Sequence, residues 1–168
     1  AQIQRLQKII YEKKKLLYDF NNTRADYPKD KTITQLFEEQ VEKTPDKTAI
    51  VFEDKQLTYK ELNEKANSLA HYLRNQNINR NDIVGIMVNR SFEMIISILA
   101  VLKSGGAYIP IDPEYPEERV AYTLNNSKCS ILLSQEILNS RISNINFDNK
   151  VIYVDLINNE IYSNNLIS

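Results

Sequence analysis

The 168-residue sequence has no Trp, one Cys, one His, three Gly and five Pro. Each scarcity excludes something. A lone thiol, Cys129, cannot form an internal disulfide, and its setting in CSILL reads as a buried, inert thiol and not as a nucleophile. One His and one Cys leave no ligand set for zinc and no Cys–His or Ser–His arrangement beyond His71 itself. His71 falls among helix residues and reads as a surface or boundary histidine. A formal net charge of −1 supplies no basic field for nucleic acid. No apolar run reaches membrane-spanning length, because Met94–Leu102 is too short and is interrupted by Ser97. No signal peptide is visible, and a start at Ala1 instead of Met reads as a piece cut from a longer chain. The compartment expected from this cysteine usage is a reducing cytosol, with neither nucleic acid nor membrane as partner. The absence of Trp beside abundant Asn, Ile and Lys reflects base composition and carries no function.

What is present is a domain's worth of chain with an apolar share of 42%, enough for a real core. The scarce turn formers are not spread evenly. Gly105, Gly106, Pro110, Pro113 and Pro116 all fall in Leu102–Arg119, LKSGGAYIPIDPEYPEER. Gly105 can stop the apolar helix upstream at positive φ. A short strand Ala107–Ile111 follows, and its ladder ends at Pro110 and Asp112–Pro113 because proline has no N–H to donate. Pro116 suits the first turn of a new helix, with Glu117 and Glu118 at its positive end. Gly-Gly before a strand is also compatible with a plain helix-to-strand connection.

Along the chain, Ile3, Leu6, Ile9 or Ile10, Lys13 and Leu17 recur at roughly helical spacing within Ala1–Phe20. The basic cluster Lys13–Lys15 can be read as a solvated face or as a membrane-surface helix; the lack of an aromatic face and of sustained charge favours the former. Asn21–Lys31 is polar, contains Pro28 and has no periodicity, so it is read as a linker with a boundary near Asp30. Thr32 with Gln35, and Thr58 with Glu61, are spaced as capping boxes. The first opens a helix bearing Leu36, Phe37 and Val41 that ends before Pro45. The second opens a helix whose Leu62, Ala66, Leu69, Ala70 and Leu73 share one face. Strands are expected at Thr48–Glu53, Gln56–Leu57, Ile83–Val88, Ala107–Ile111, Cys129–Leu133 and Lys150–Asp155. Ser91 can cap a helix over Phe92–Lys103 that is apolar on nearly every side, and so should be the most buried element. Further helices are expected at Pro116–Asn126, with Val120, Ala121 and Leu124 inward, and at Ser134–Ser140. Beyond Ile157 no pattern survives. Alternating strands and helices give the fold class: α/β, layered, with a largely parallel sheet and flanking helices.

The central string resembles the second core motif of the adenylation domains of nonribosomal peptide synthetases, with Ser104 where that family usually has Ala. LTYKELN, Leu57–Asn63, is similar to the family's first core motif. FEEQVEKTPDKTAI (Phe37–Ile50) and NRSFEMIISILAVLKSGG (Asn89–Gly106) resemble the stretches that flank these motifs, and the spacing between the motifs fits. LLYDFNNT followed by YPKD resembles the connector that enters such domains from a condensation domain. The resemblance therefore implies residues 1–30 as a linker from an upstream condensation domain. It implies residues 31–168 as the truncated N-terminal part of an adenylation, or AMP-binding, domain in the superfamily of adenylate-forming ligases.

Family members activate a carboxylic acid, usually an amino acid, with Mg·ATP, and pass the acyl group to the phosphopantetheine thiol of a carrier protein. The resemblance thus implies ATP and Mg as cofactors of the intact domain, with none in this fragment. Its implied partners are the remainder of the adenylation domain and the condensation and carrier domains of the same synthetase. The family's phosphate loop, transition-state Lys and amine-binding Asp have no counterpart among these residues, so no catalytic, cofactor-binding or metal-binding residue is assigned. The two motifs present play scaffold roles. Two other readings stay open: a non-catalytic α/β module docking a partner through residues 1–30, and a fragment of an acyl-CoA synthetase-like ligase.

Overall fold

The computed structural model describes residues 2–157. The chain divides into two compact units, Ala1–Lys31 and Thr32–Ser168. In the first, α1 runs Gln2–Lys14 and passes into a π-helical turn, Lys15–Asp19. A uniform helix to Phe20 was expected; instead the last turn widens. The Phe20 N–H reaches the Lys15 carbonyl at 3.0 Å. The Asn21 amide closes the end by donating to the carbonyls of Leu16 (3.0 Å) and Leu17 (3.2 Å), which satisfies acceptors that a helix end leaves open. None of the described residues of this unit is buried.

The second unit begins with α2 (Ile33–Lys43), followed by the antiparallel hairpin of β1 (Thr48–Phe52) and β2 (Lys55–Thr58), then α3 (Tyr59–Asn75). Both expected capping boxes form. Gln35 N–H donates to Thr32 Oγ1 at 3.2 Å and Thr32 N–H to Gln35 Oε1 at 2.8 Å. The Thr58–Glu61 pair repeats this at 3.2 and 2.8 Å. Two further N–H groups at the start of α3, on Tyr59 and Lys60, donate to the carbonyls of Lys47 and Pro45, each at 3.0 Å, which docks the helix on the loop before the hairpin. The five residues expected on the inner face of α3, Leu62, Ala66, Leu69, Ala70 and Leu73, are its five buried residues.

A four-stranded sheet follows, built from β3 (Ile83–Met87), β4 (Ala107–Pro110), β5 (Ile131–Ser134) and β6 (Lys150–Tyr153). Its order is β4-β3-β5-β6 and every pairing is parallel. Parallel strands need crossovers, and these carry α4 (Phe92–Ser104), α5 (Glu117–Asn126) and α6 (Asn139–Ser143). One face packs Val84, Ile86, Val88, Ile131 and Leu133 against buried residues of α3 and α4. The other packs Met87, Cys129 and Leu132 against Val120 and Leu124 of α5 and Ile142 of α6. Covered on both faces, the central strands need apolar residues at successive positions, which is why Ile83–Val88 shows no polar alternation. α4 has no exposed residue, but it is not the most buried element as expected: six of its thirteen residues are buried, compared with all four of β5, because a strand in mid-sheet is covered on both faces.

β1, β3 and β4 each end one residue before the expected bound and β2 is one residue longer at each end, and larger differences lie elsewhere. Ser91 stands at the N-cap of α4 with the extended backbone of a cap (φ −170°), but its side chain makes no capping bond and its Oγ instead faces Gln135 Nε2 at 3.5 Å. Pro116 precedes α5 as the N-cap at ψ 141° and is not inside the first turn. Cys129 lies just past the end of α5 and outside β5, its N–H bonded back to the Leu124 carbonyl at 3.1 Å, because Lys128 at φ 54° closes the helix as a glycine would. The strand therefore starts at Ile131 and runs on to Ser134, and the expected helix at Ser134–Ser140 becomes a 3₁₀ turn, Glu136–Leu138, leading into α6. Finally, β6 ends at Tyr153, and 154–157 turn helical. The expectation of a patternless stretch after Ile157 concerns 158–168, outside the described residues. Among the described residues no helix is long and apolar enough to cross a membrane.

Candidate functional site

The segment Leu102–Arg119 is a structural joint. At the end of α4, Gly105 sits at φ 95°. Its N–H donates to the Leu102 carbonyl at 3.2 Å, and the Gly106 N–H donates to the Val101 carbonyl at 3.1 Å. These are the two bonds of a Schellman motif. The second glycine serves another purpose. A Cβ on Gly106 would lie 3.1 Å from the Asp82 carbonyl oxygen and 3.3 Å from Ile78 and Val101. The chain can then run straight into β4, where Ala107 N–H bonds Asp82 O at 2.8 Å. After β4, the Asp112 carboxylate accepts the Glu114 N–H at 2.9 Å and the Tyr115 N–H bonds Asp112 O at 3.1 Å. Arg119 lies over the Tyr115 ring at 3.9 Å, and Arg141 of α6 donates to the Tyr115 carbonyl at 2.5 Å.

In an open parallel sheet, ligands enter at the carboxyl ends of strands where the winding direction reverses. Here the chain leaves β3 for β4 on one side and returns to β5 on the other, so the reversal lies between β3 and β5. Its polar groups bond to one another. Asn89 N–H donates to Gln135 Oε1 at 2.8 Å, Ser134 Oγ donates to the Met87 carbonyl at 2.8 Å, and Glu136 N–H donates to both Asp155 carboxylate oxygens at 3.1 and 3.0 Å. The crevice is thus stitched by side chains far apart in sequence. Beside it, a groove of about 550 Å³ runs between α4 and the outer strand β4, lined by Met94, Ile98, Tyr108, Pro110, Asp112 and Glu114.

No nucleophile, base or metal centre was assigned from the sequence, and the titratable groups have the following surroundings. Cys129 is buried; its Sγ accepts the Gly85 N–H at 3.1 Å and approaches the Ile131 carbonyl at 3.0 Å. Burial pushes this thiol above its ordinary value, with the two backbone bonds opposing weakly. A thiol held protonated away from solvent is a packing group, not a nucleophile. His71 is exposed on α3. Among the described residues, no three or more His, Cys, Asp or Glu side chains gather where they could hold a metal ion. The Gln135 and Asp155 bonds were not foreseen, since single polar side chains bridging strand ends leave no periodicity or spacing to read.

Two glycine roles, a proline-set loop and a capped α3 therefore place both motif stretches in the frame of a parallel sheet. The family described as AMP-binding enzyme matches residues 37–162. The chain belongs to the AMP-binding enzyme family, among the adenylation domains of nonribosomal peptide synthetases. Bacitracin synthase 3 of Bacillus licheniformis is 59% identical over 124 residues, covering 74% of this chain and 2% of that protein. Tyrocidine synthase 2 of Brevibacillus parabrevis is 51% identical over 145 residues, covering 86% and 4%. Among solved structures, the nonribosomal peptide synthetase FmoA3 in an AMPPNP-bound form superposes with a TM-score of 0.73 at 28% identity, over 84% of this chain and 15% of that one. This adenylation-family chain thus spans a small part of the length of its relatives.

Proposed function

We propose that the chain is the opening scaffold of an adenylation domain that activates an amino acid with Mg·ATP as the aminoacyl adenylate and then loads it on a carrier protein's phosphopantetheine thiol. The observation that carries this reading is the family match over residues 37–162, within which the glycine–proline joint connects α4, β4 and α5. The described residues do not themselves fit Mg·ATP. They offer no acidic donor cluster, and Gly105 and Gly106 are committed to a helix end and a close backbone approach. A phosphate-holding loop needs free N–H groups at such a turn. No step of the reaction is therefore assigned to this chain's residues, and the piece alone is scaffold.

In the same reading, residues 1–30 are the linker from an upstream condensation domain, and residues 31–168 the start of the adenylation domain. The partners are then the remainder of that domain and the condensation and carrier domains, in the cytoplasm. A second reading is favoured by one observation: the first unit leaves Ile3, Leu6, Ile10 and Leu17 exposed, which suits a module that docks a partner through residues 1–30. Amino-acid-dependent exchange of labelled pyrophosphate into ATP separates the two. The chain alone should be silent and the same gene's whole domain active. Exchange by the chain alone would overturn the scaffold reading, and silence of the whole domain towards all amino acids and common aryl acids would favour the docking module.

A further inference from the structure

We draw no further inference here: the strongest candidate, the groove of about 550 Å³ that Met94 and Ile98 of α4 form with Tyr108 and Pro110 along the outer strand β4, carries nothing because no feature of the structure shows what covers it.

Discussion

The ammonium of Lys103 at the end of α4 is ion-paired with the Glu38 carboxylate on α2, and the two partners are unequally shielded: the Lys103 side chain is 5% exposed and that of Glu38 51%. The same ammonium lies 5.8 Å over the Phe37 ring, and the Lys103 carbonyl accepts a bond from the Arg74 guanidinium of α3. Three helices therefore meet one residue before Ser104 and the glycine turn.

The asymmetry predicts unequal costs. Glu38→Ala strands a shielded ammonium, which costs 3–5 kcal/mol when both partners are buried and about 1–2 kcal/mol here, where one partner is half in water. Lys103→Met keeps the packed stem, removes the charge and leaves only a partly solvated carboxylate, so it should cost less. Urea denaturation of both variants checks the order. Both variants remove the pair, so a larger loss for Lys103→Met would refute the stranded ammonium as the dominant cost.

Substitutions at the two glycines should separate by mechanism. Gly105→Val places a Cβ in the left-handed region and should cost about 1–2 kcal/mol, whereas Gly105→Asn should cost less because Asn tolerates that region. At Gly106 no residue with a Cβ is comfortable, Asn included, since the obstacle is the backbone oxygen of Asp82. Thermal unfolding of the four variants, Asn and Val at each site, reads this directly. Rescue by Asn at Gly106 would contradict the steric account.

How much was legible in the sequence follows the range of the interactions. The capping boxes and the inner face of α3 depend on residues three to eleven apart, and they were read residue by residue. The all-round apolar pattern of α4 foretold a helix without exposed residues, but β5 and not α4 is the most completely buried element. The ends of β5 and β6 differ from the expected ones because non-local or unusual features set them: Lys128 at positive φ without being glycine, and Asp155, in the helical turn after β6, accepting the Glu136 N–H. The polar stitching between β3, β5 and β6 joins residues up to 47 apart, Met87 to Ser134, and no local pattern encodes it.

The capping box on α3 should make stability depend on acid pH. Hydrogen bonds from the Thr58 backbone and hydroxyl hold the Glu61 carboxyl below its usual range, Lys65 adding a smaller pull. A depressed folded value means the unfolded chain binds the proton more readily. The contribution is therefore complete above the ordinary Glu range and is lost as pH falls through the lower folded value. Glu61→Gln should flatten that part of the stability–pH curve while leaving the Thr58 cap on the Glu61 N–H in place. Thr58→Ala removes the hydroxyl that accepts the Glu61 N–H and donates to the Glu61 carboxylate, keeps the backbone N–H to that carboxylate, and should cost about 1 kcal/mol at neutral pH. An unchanged acid slope in Glu61→Gln would assign the acid sensitivity to other carboxylates.

The last prediction concerns the thiol between the sheet and α5. Cys129 is fully buried, and its Sγ is the acceptor for the Gly85 N–H in the middle of β3. A thiol reagent at neutral pH should therefore label the native chain only as fast as the chain opens, and should label the urea-unfolded chain at once. Fast labelling without denaturant would refute its burial. The substitutions extend the test. Cys129→Ala leaves a buried N–H without an acceptor, a loss of about 1–3 kcal/mol, together with a small cavity. Cys129→Ser keeps an acceptor but puts a more polar group in an apolar layer, so it should recover part of that loss only if the Gly85 bond matters more than the polarity. The raised folded value adds a sign: the folded chain resists losing this proton, so its contribution is whole below the ordinary thiol value. It fades as pH climbs from there through the folded value. Cys129→Ala should lack that alkaline decline, and a decline persisting in the variant would place its origin in another group.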